Sequence, residues 1–256
     1  MKEFFGFPEY TRTPEGFMSW QHILFVTSLM LIMIGLAIFL GTRNRNKDER
    51  IKNRVLMVSA ILIDSLEILK IIIVCVRSEE SDTWTRLLPL FLCSIQLIVL
   101  PIAAFTKGRL REASLDFVFI FGILGALLGT YGAGQNYGSY PVLSFDNVVS
   151  GITHTIAGFA SLYIVISKMA SMKKKNIWIS ITILTSFCVC AFIVNNLVDY
   201  NYMFLRQGDG TPYDIFYNMV SGNQVLYPMI VVGLFYIYIG LFYFIYHLIA
   251  DKKRAD

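Results

Sequence analysis

Seven apolar runs, each about as long as a membrane-crossing helix, dominate the sequence: roughly residues 22–41, 55–76, 87–105, 117–133, 147–167, 177–198 and 227–250. The hydrocarbon core of a bilayer is about 30 Å thick and a helix rises about 1.5 Å per residue, so about 20 apolar residues cross it. Most of these runs hold no charge, and only short polar stretches separate them. The fourth run is the shortest, and the fifth needs Asn147 to Ser150 for full length. The expected fold is all-α: a polytopic membrane helix bundle of about seven transmembrane helices, with residues 1–256 as a single transmembrane domain because no loop is long enough to hold a soluble one. Composition agrees, at 55% apolar and 16% charged against about 45–50% and 25% in soluble domains. That balance excludes a disordered chain, a nucleic-acid-binding domain and an ordinary cytosolic enzyme.

Loop charge sets the expected topology. Lys70 apart, 16 of the 22 lysines and arginines fall in one set of alternate loops and 5 in the other. The positive-inside rule then puts the N-terminus outside and the C-terminus in the cytoplasm. The basic loops, Thr42–Arg54 and Lys168–Asn176 above all, read as topology signals and as attraction to anionic lipid headgroups. No basic patch interleaved with aromatics points to nucleic acid. Glu3, Glu9 and Glu15 stand where a cleavable signal would carry basic residues, so the first run is expected to be retained. Cys75, Cys93, Cys188 and Cys190 have neither metal-ligand spacing nor a disulfide framework. No P-loop or His-Glu-x-x-His is present, and no metal or other cofactor is implied.

The ionisable residues inside the runs are the informative ones, since such groups are costly in hydrocarbon and are usually paired or functional. Counting depth along each helix places Asp64, Glu67, Lys70, Cys93, Gln96, His154 and Asn195 in one layer of the outer half, with His22 opening the first helix on the same side. In the second run Asp64, Glu67 and Lys70 stand at i, i+3 and i+6, and Glu67 can pair with Lys70 along the helix. These groups read either as a network holding helices together or as a proton relay, an ion site or support for a catalytic group. Cys93 alone reads as a small core residue, and His154 as an interhelical histidine. Gly158 and Ser161 share a face with His154 and admit a close helix neighbour, as do Gly122, Gly125 and Gly129 on the fourth run. Cys188 and Cys190, without polar neighbours, read as packing. Pro89 fits the first turn of the third helix, and Pro101 should loosen that helix and free a carbonyl.

Trp20-Gln21-His22, Glu67-Ile-Leu-Lys70, Leu88-Pro-Leu-Phe-Leu-Cys-Ser94, His154 and Asn201-Tyr-Met-Phe-Leu205 together resemble the YwaF-like family of bacterial integral membrane proteins. That family is similar to a eukaryotic transmembrane acyltransferase that remodels ether phospholipids through a cysteine and a histidine. The resemblance covers most of the chain and implies a multi-pass protein of the bacterial cell membrane acting on membrane phospholipids. Carried over by motif, the nucleophile is Cys93 and the base His154. Many relatives have a histidine two residues before the cysteine, where this chain has Phe91. Such a pair would take an acyl group from an outer-leaflet phospholipid as a thioester and pass it to a lysolipid hydroxyl or to water. Lys70, Gln96 and Asn195 are candidate oxyanion stabilisers. Glu67, Asp64 and His22 are supporting or substrate-binding candidates. The alternative is a transporter or sensor for a small ligand or ion, built on the charged residues of the second helix. The acyl donor and acceptor, protein partners and oligomeric state are not legible.

Overall fold

The computed structural model describes residues 2–255, with side chains described to residue 250. Among the described residues there are helices and turns and no strand. Seven helices have ten residues or more: α1 (Trp20–Asn44), α2 (Glu49–Arg77), α3 (Gln96–Phe105), α4 (Gly108–Thr130), α5 (Phe145–Ile166), α6 (Ile177–Leu197) and α7 (Leu226–Ala255). Five of them, α1 and α4 to α7, are long and apolar enough to cross a membrane. Helix α2 has the length but carries Asp64, Glu67 and Lys70 in its middle. Helix α3 is ten residues, about 15 Å and half a bilayer core.

The third apolar run therefore becomes helical nine residues later than its pattern predicts. Residues 87–95 form bends and turns instead, with the Ser94 and Ile95 amides both bonding the Phe91 carbonyl. Pro89 disfavours a helical Leu88 and has no N–H to give. Pro101 lies inside α3.

The chain divides into two compact units. The first comprises residues 1–88 and 96–170. Its centre is α5, which packs on α1, α2 and α4, while α3 lies between α2 and α4. Serines begin two of its helices: the Ser19 hydroxyl accepts from the His22 amide at the start of α1, and Ser144 from the Asn147 amide at the start of α5. Small residues set the α4–α5 approach. A Cβ on Gly122 would stand 2.6 Å from the Ala157 carbonyl oxygen, and Ser161 Oγ donates to the Phe119 carbonyl at 2.7 Å. This is the close-contact face expected from the glycine spacing. At one end of the unit Tyr163 ties α1, α2 and α5: Asn44 Nδ2 donates to its hydroxyl, which donates to the Lys52 carbonyl, each at 3.1 Å. At the other end the N-terminal segment packs on the end of α2 and the start of α5.

The second unit comprises residues 89–95 and 171–256. Helices α6 and α7 pack together, joined by Thr185 and Tyr236 hydroxyls 2.6 Å apart. The turn segment 89–95 is held by rings from the loop after α6. Phe91 lies 5.1 Å from Tyr202, 6.2 Å from Tyr200 and 6.1 Å from Phe204.

Candidate functional site

In the first unit His154 stands beside the charged turns of α2. Helix α5 is pinned to α2 at both ends, Asp146 to Arg77 and Tyr163 to the Lys52 carbonyl. Its midpoint, His154, therefore falls level with the turns bearing Asp64, Glu67 and Lys70. Lys70 is itself paired with Glu67 at 2.5 Å along the helix, as the spacing predicts. The imidazole lies flat against Gly129 of α4. A Cβ there would overlap Cε1 and both ring nitrogens, so the slot requires glycine. Among the described residues the His154 ring makes no hydrogen bond.

His22 is the opposite case. It is wholly buried, its Nδ1 accepts from the Met18 amide and its Nε2 donates to the Thr130 carbonyl, each at 3.1 Å. The first bond fixes Nδ1 as the acceptor, so Nε2 carries the proton. The ring also stacks on Tyr137 at 3.9 Å. With both nitrogens engaged, His22 joins α1 to the end of α4.

Gln96 opens α3 and is 1% exposed, with neither amide atom partnered among the described residues. Asp64 is half-buried, and its Oδ1 is enclosed and unpartnered. Both belong to the first unit.

Cys93 belongs to the second unit, partly buried in the turn segment held through Phe91. The clasp explains why Leu88–Ser94 and Asn201–Leu205 occur together in the sequence. Phe91, the departure from the relatives' histidine, is the ring that the second motif grips. Asn195 organises this grip. It is wholly buried and bonds both backbone groups of Tyr202, accepting from its amide at 2.6 Å and donating to its carbonyl at 3.0 Å. One amide hydrogen of Asn195 remains for another partner. Cys188 is buried against Met203, with its Sγ 3.6 Å from the Met203 sulfur, and Cys190 is exposed.

A cluster that the sequence did not announce closes one end of the first unit. Arg77 donates to both carboxylate oxygens of Asp146 at 2.8 and 2.9 Å. The same guanidinium bonds the Phe5 carbonyl at 3.0 Å and Tyr10 Oη at 3.2 Å. Tyr10 in turn donates to Asp146 at 2.5 Å, and burial, reinforced by that bond, pushes its pKa up to about 12. Phe4 and Phe5 pack on Phe145. The only local sign of this cluster is opposite charge at the facing ends of two apolar runs.

No curated protein and no solved structure matches the chain. One family profile does, over residues 17–247, a range that takes in every candidate residue named above. With that match and five membrane-length apolar helices, the chain is a multi-pass membrane protein of the TMEM164 family.

Proposed function

We propose that this protein is a YwaF-like acyltransferase of the bacterial cell membrane, spanning it seven times with the N-terminus outside, and acting on outer-leaflet phospholipid through Cys93 and His154. The observation that carries the reading is the state of His154. Of the two histidines toward that end of the helices, one has both nitrogens engaged and the other, among the described residues, has neither. An imidazole without a hydrogen bond, fitted into a glycine slot beside an ion pair, is suited to exchanging protons with a reacting group.

In the proposed reaction His154 takes the proton of the Cys93 thiol, and the sulfur attacks the ester carbonyl carbon. The C–O bond of the ester breaks. The leaving alkoxide oxygen receives the proton from His154, giving a lysolipid and a thioester on Cys93. An acceptor hydroxyl then attacks the thioester while His154 takes its proton. The C–S bond breaks, and the proton returns to sulfur. If water is the acceptor, the product is a fatty acid.

The test is intact-mass analysis of the purified protein before and after hydroxylamine. A long-chain acyl increment that hydroxylamine removes is expected, absent from Cys93→Ala and retained when the other three cysteines are replaced. His154→Ala should slow acylation by about 10²–10⁴-fold without lowering the melting temperature by more than a few degrees. Equal reaction of Cys93 and Cys188 with a long-chain iodoacetamide, or no effect of His154→Ala, would sink the mechanism. So would failure of Cys93 to form a disulfide with a cysteine placed at 154, since the reaction requires the two side chains to meet.

A further inference from the structure

We propose that Asp64 and Gln96 form a binding site for one monovalent positive charge, a sodium ion or a proton, between α2 and α3. Among the described residues, three polar atoms of these two side chains are buried without a partner: Asp64 Oδ1, Gln96 Oε1 and Gln96 Nε2. Gln96 is 1% exposed, so water does not satisfy its amide from the surface. An orphaned amide costs several kcal/mol in an apolar setting, and an uncompensated carboxylate far more.

Helix register puts the two residues at similar heights along α2 and α3. Asn53 Nδ2 donates to the Ala104 carbonyl at 2.7 Å, so the start of α2 faces the end of α3 and the helices run antiparallel. Asp64 lies eleven residues after Asn53, within about 20° of the same face and about 16 Å along the axis. Gln96 lies eight residues before Ala104, about 12 Å along in the same direction. The two heights differ by about 4–5 Å, and Gln96 stands about 80° around α3 from Ala104. Gln96 also belongs to the buried stripe of α3, with Val99, Leu100 and Ala103.

Charge decides what the pair holds. Glu67 is compensated by Lys70 and Asp146 by Arg77, whereas Asp64 has no counter-charge among the described residues. Within two turns of it on α2 the ionisable groups are Glu67 and Lys70, and α5 carries His154 at its middle, with Asp146 and Tyr163 toward its two ends. Helix α3 has none, and α4 has none from Phe117 to Thr130. An anion is excluded, because an ionised carboxylate only accepts. A divalent ion is disfavoured because a single carboxylate leaves it with a net positive charge in an apolar setting. A sodium ion shared by Asp64 Oδ1 and Gln96 Oε1 neutralises the carboxylate and satisfies the amide oxygen together, two of the three orphaned atoms. A proton on Asp64 does the same by donating to that oxygen.

Thermal unfolding of the full chain in detergent tests this, with sodium chloride against N-methyl-D-glucamine chloride at equal ionic strength, at pH 5.5 and pH 8.5. A sodium ion gives a melting temperature several degrees higher in sodium at pH 8.5. A proton gives no sodium effect and a higher melting temperature at pH 5.5. Either response should vanish in Asp64→Asn, a neutral isostere expected to melt no lower than the wild type. Gln96→Leu keeps the carboxylate and serves as the second variant. It should raise the half-effective sodium or proton concentration about tenfold, the effect of losing one charge-assisted contact. Indifference of the wild type to both variables, a response unchanged in Asp64→Asn, or an unshifted midpoint in Gln96→Leu overturns the site.

Discussion

His22 and His154 are the same residue type at comparable depth, and their surroundings divide them by role. His22 is a fastener whose two nitrogens each hold a backbone group. His154 is held by shape, through a missing Cβ on the neighbouring helix. That dependence makes a measurable coupling. Gly129→Ala drives a methyl group into the imidazole and should cost about 1–3 kcal/mol through overpacking, read as a lower melting temperature. In a His154→Ala background the same substitution should cost far less, because the obstructing ring is gone. Additive effects in that double-mutant cycle would mean the slot is not specific to the histidine. The glycine spacing on the fourth run revealed a close-contact face, but not that one of those glycines makes room for the His154 ring. A sequence pattern shows which face of a helix is narrow and not which residue of another helix fills it.

Elements were legible where their apolar patterns were long. Each of the seven runs contains a helix, and the Glu67–Lys70 pair follows from spacing within one helix. The exception is 87–95, as apolar as its neighbours yet not helical. Its conformation depends on Phe91 meeting rings more than 100 residues further on, which no local period records. The Arg77–Asp146 pair was hidden for the same reason. Both of its side chains are about 11% exposed, so removing one partner leaves a largely buried charge. Asp146→Ala should lower stability by on the order of 3 kcal/mol, whereas replacing both members, as Arg77→Met with Asp146→Leu, should cost less. Equal losses in the single and double variants would show that the pair is not coupled. Tyr10 adds a pH dependence of definite sign. Its pKa is about 12 when folded against 10.0 as the ordinary value, so the folded state keeps this proton longer. Stability should therefore fall as pH rises from about 10 to about 12. Tyr10→Phe should remove that part of the decline in alkaline melts, and an unchanged slope would count against the buried phenol.

At the scale of the whole molecule, length and composition gave the all-helical membrane character, which the family match and the five long apolar helices bear out. Orientation in the bilayer rests on loop charge. With 16 of the basic residues in one set of loops and 5 in the other, the segments 42–54, 106–116 and 168–176 should face the cytoplasm. In a variant without the native cysteines, Ser171→Cys should escape a membrane-impermeant maleimide in intact cells and react after permeabilisation. Labelling in intact cells would reverse the orientation.

The contact between Tyr10 and Asp146 spans 136 positions of chain, and this has a consequence for biosynthesis. At about 5–20 residues per second, a ribosome makes Asp146 about 7–27 s after Tyr10. Arg77 is finished midway through that interval and meanwhile lacks the carboxylate that neutralises it. Until α5 begins to emerge, Tyr10 and Arg77 lack the carboxylate that ties them together. The segment around Tyr10 is fastened to α5 only once translation has passed residue 146.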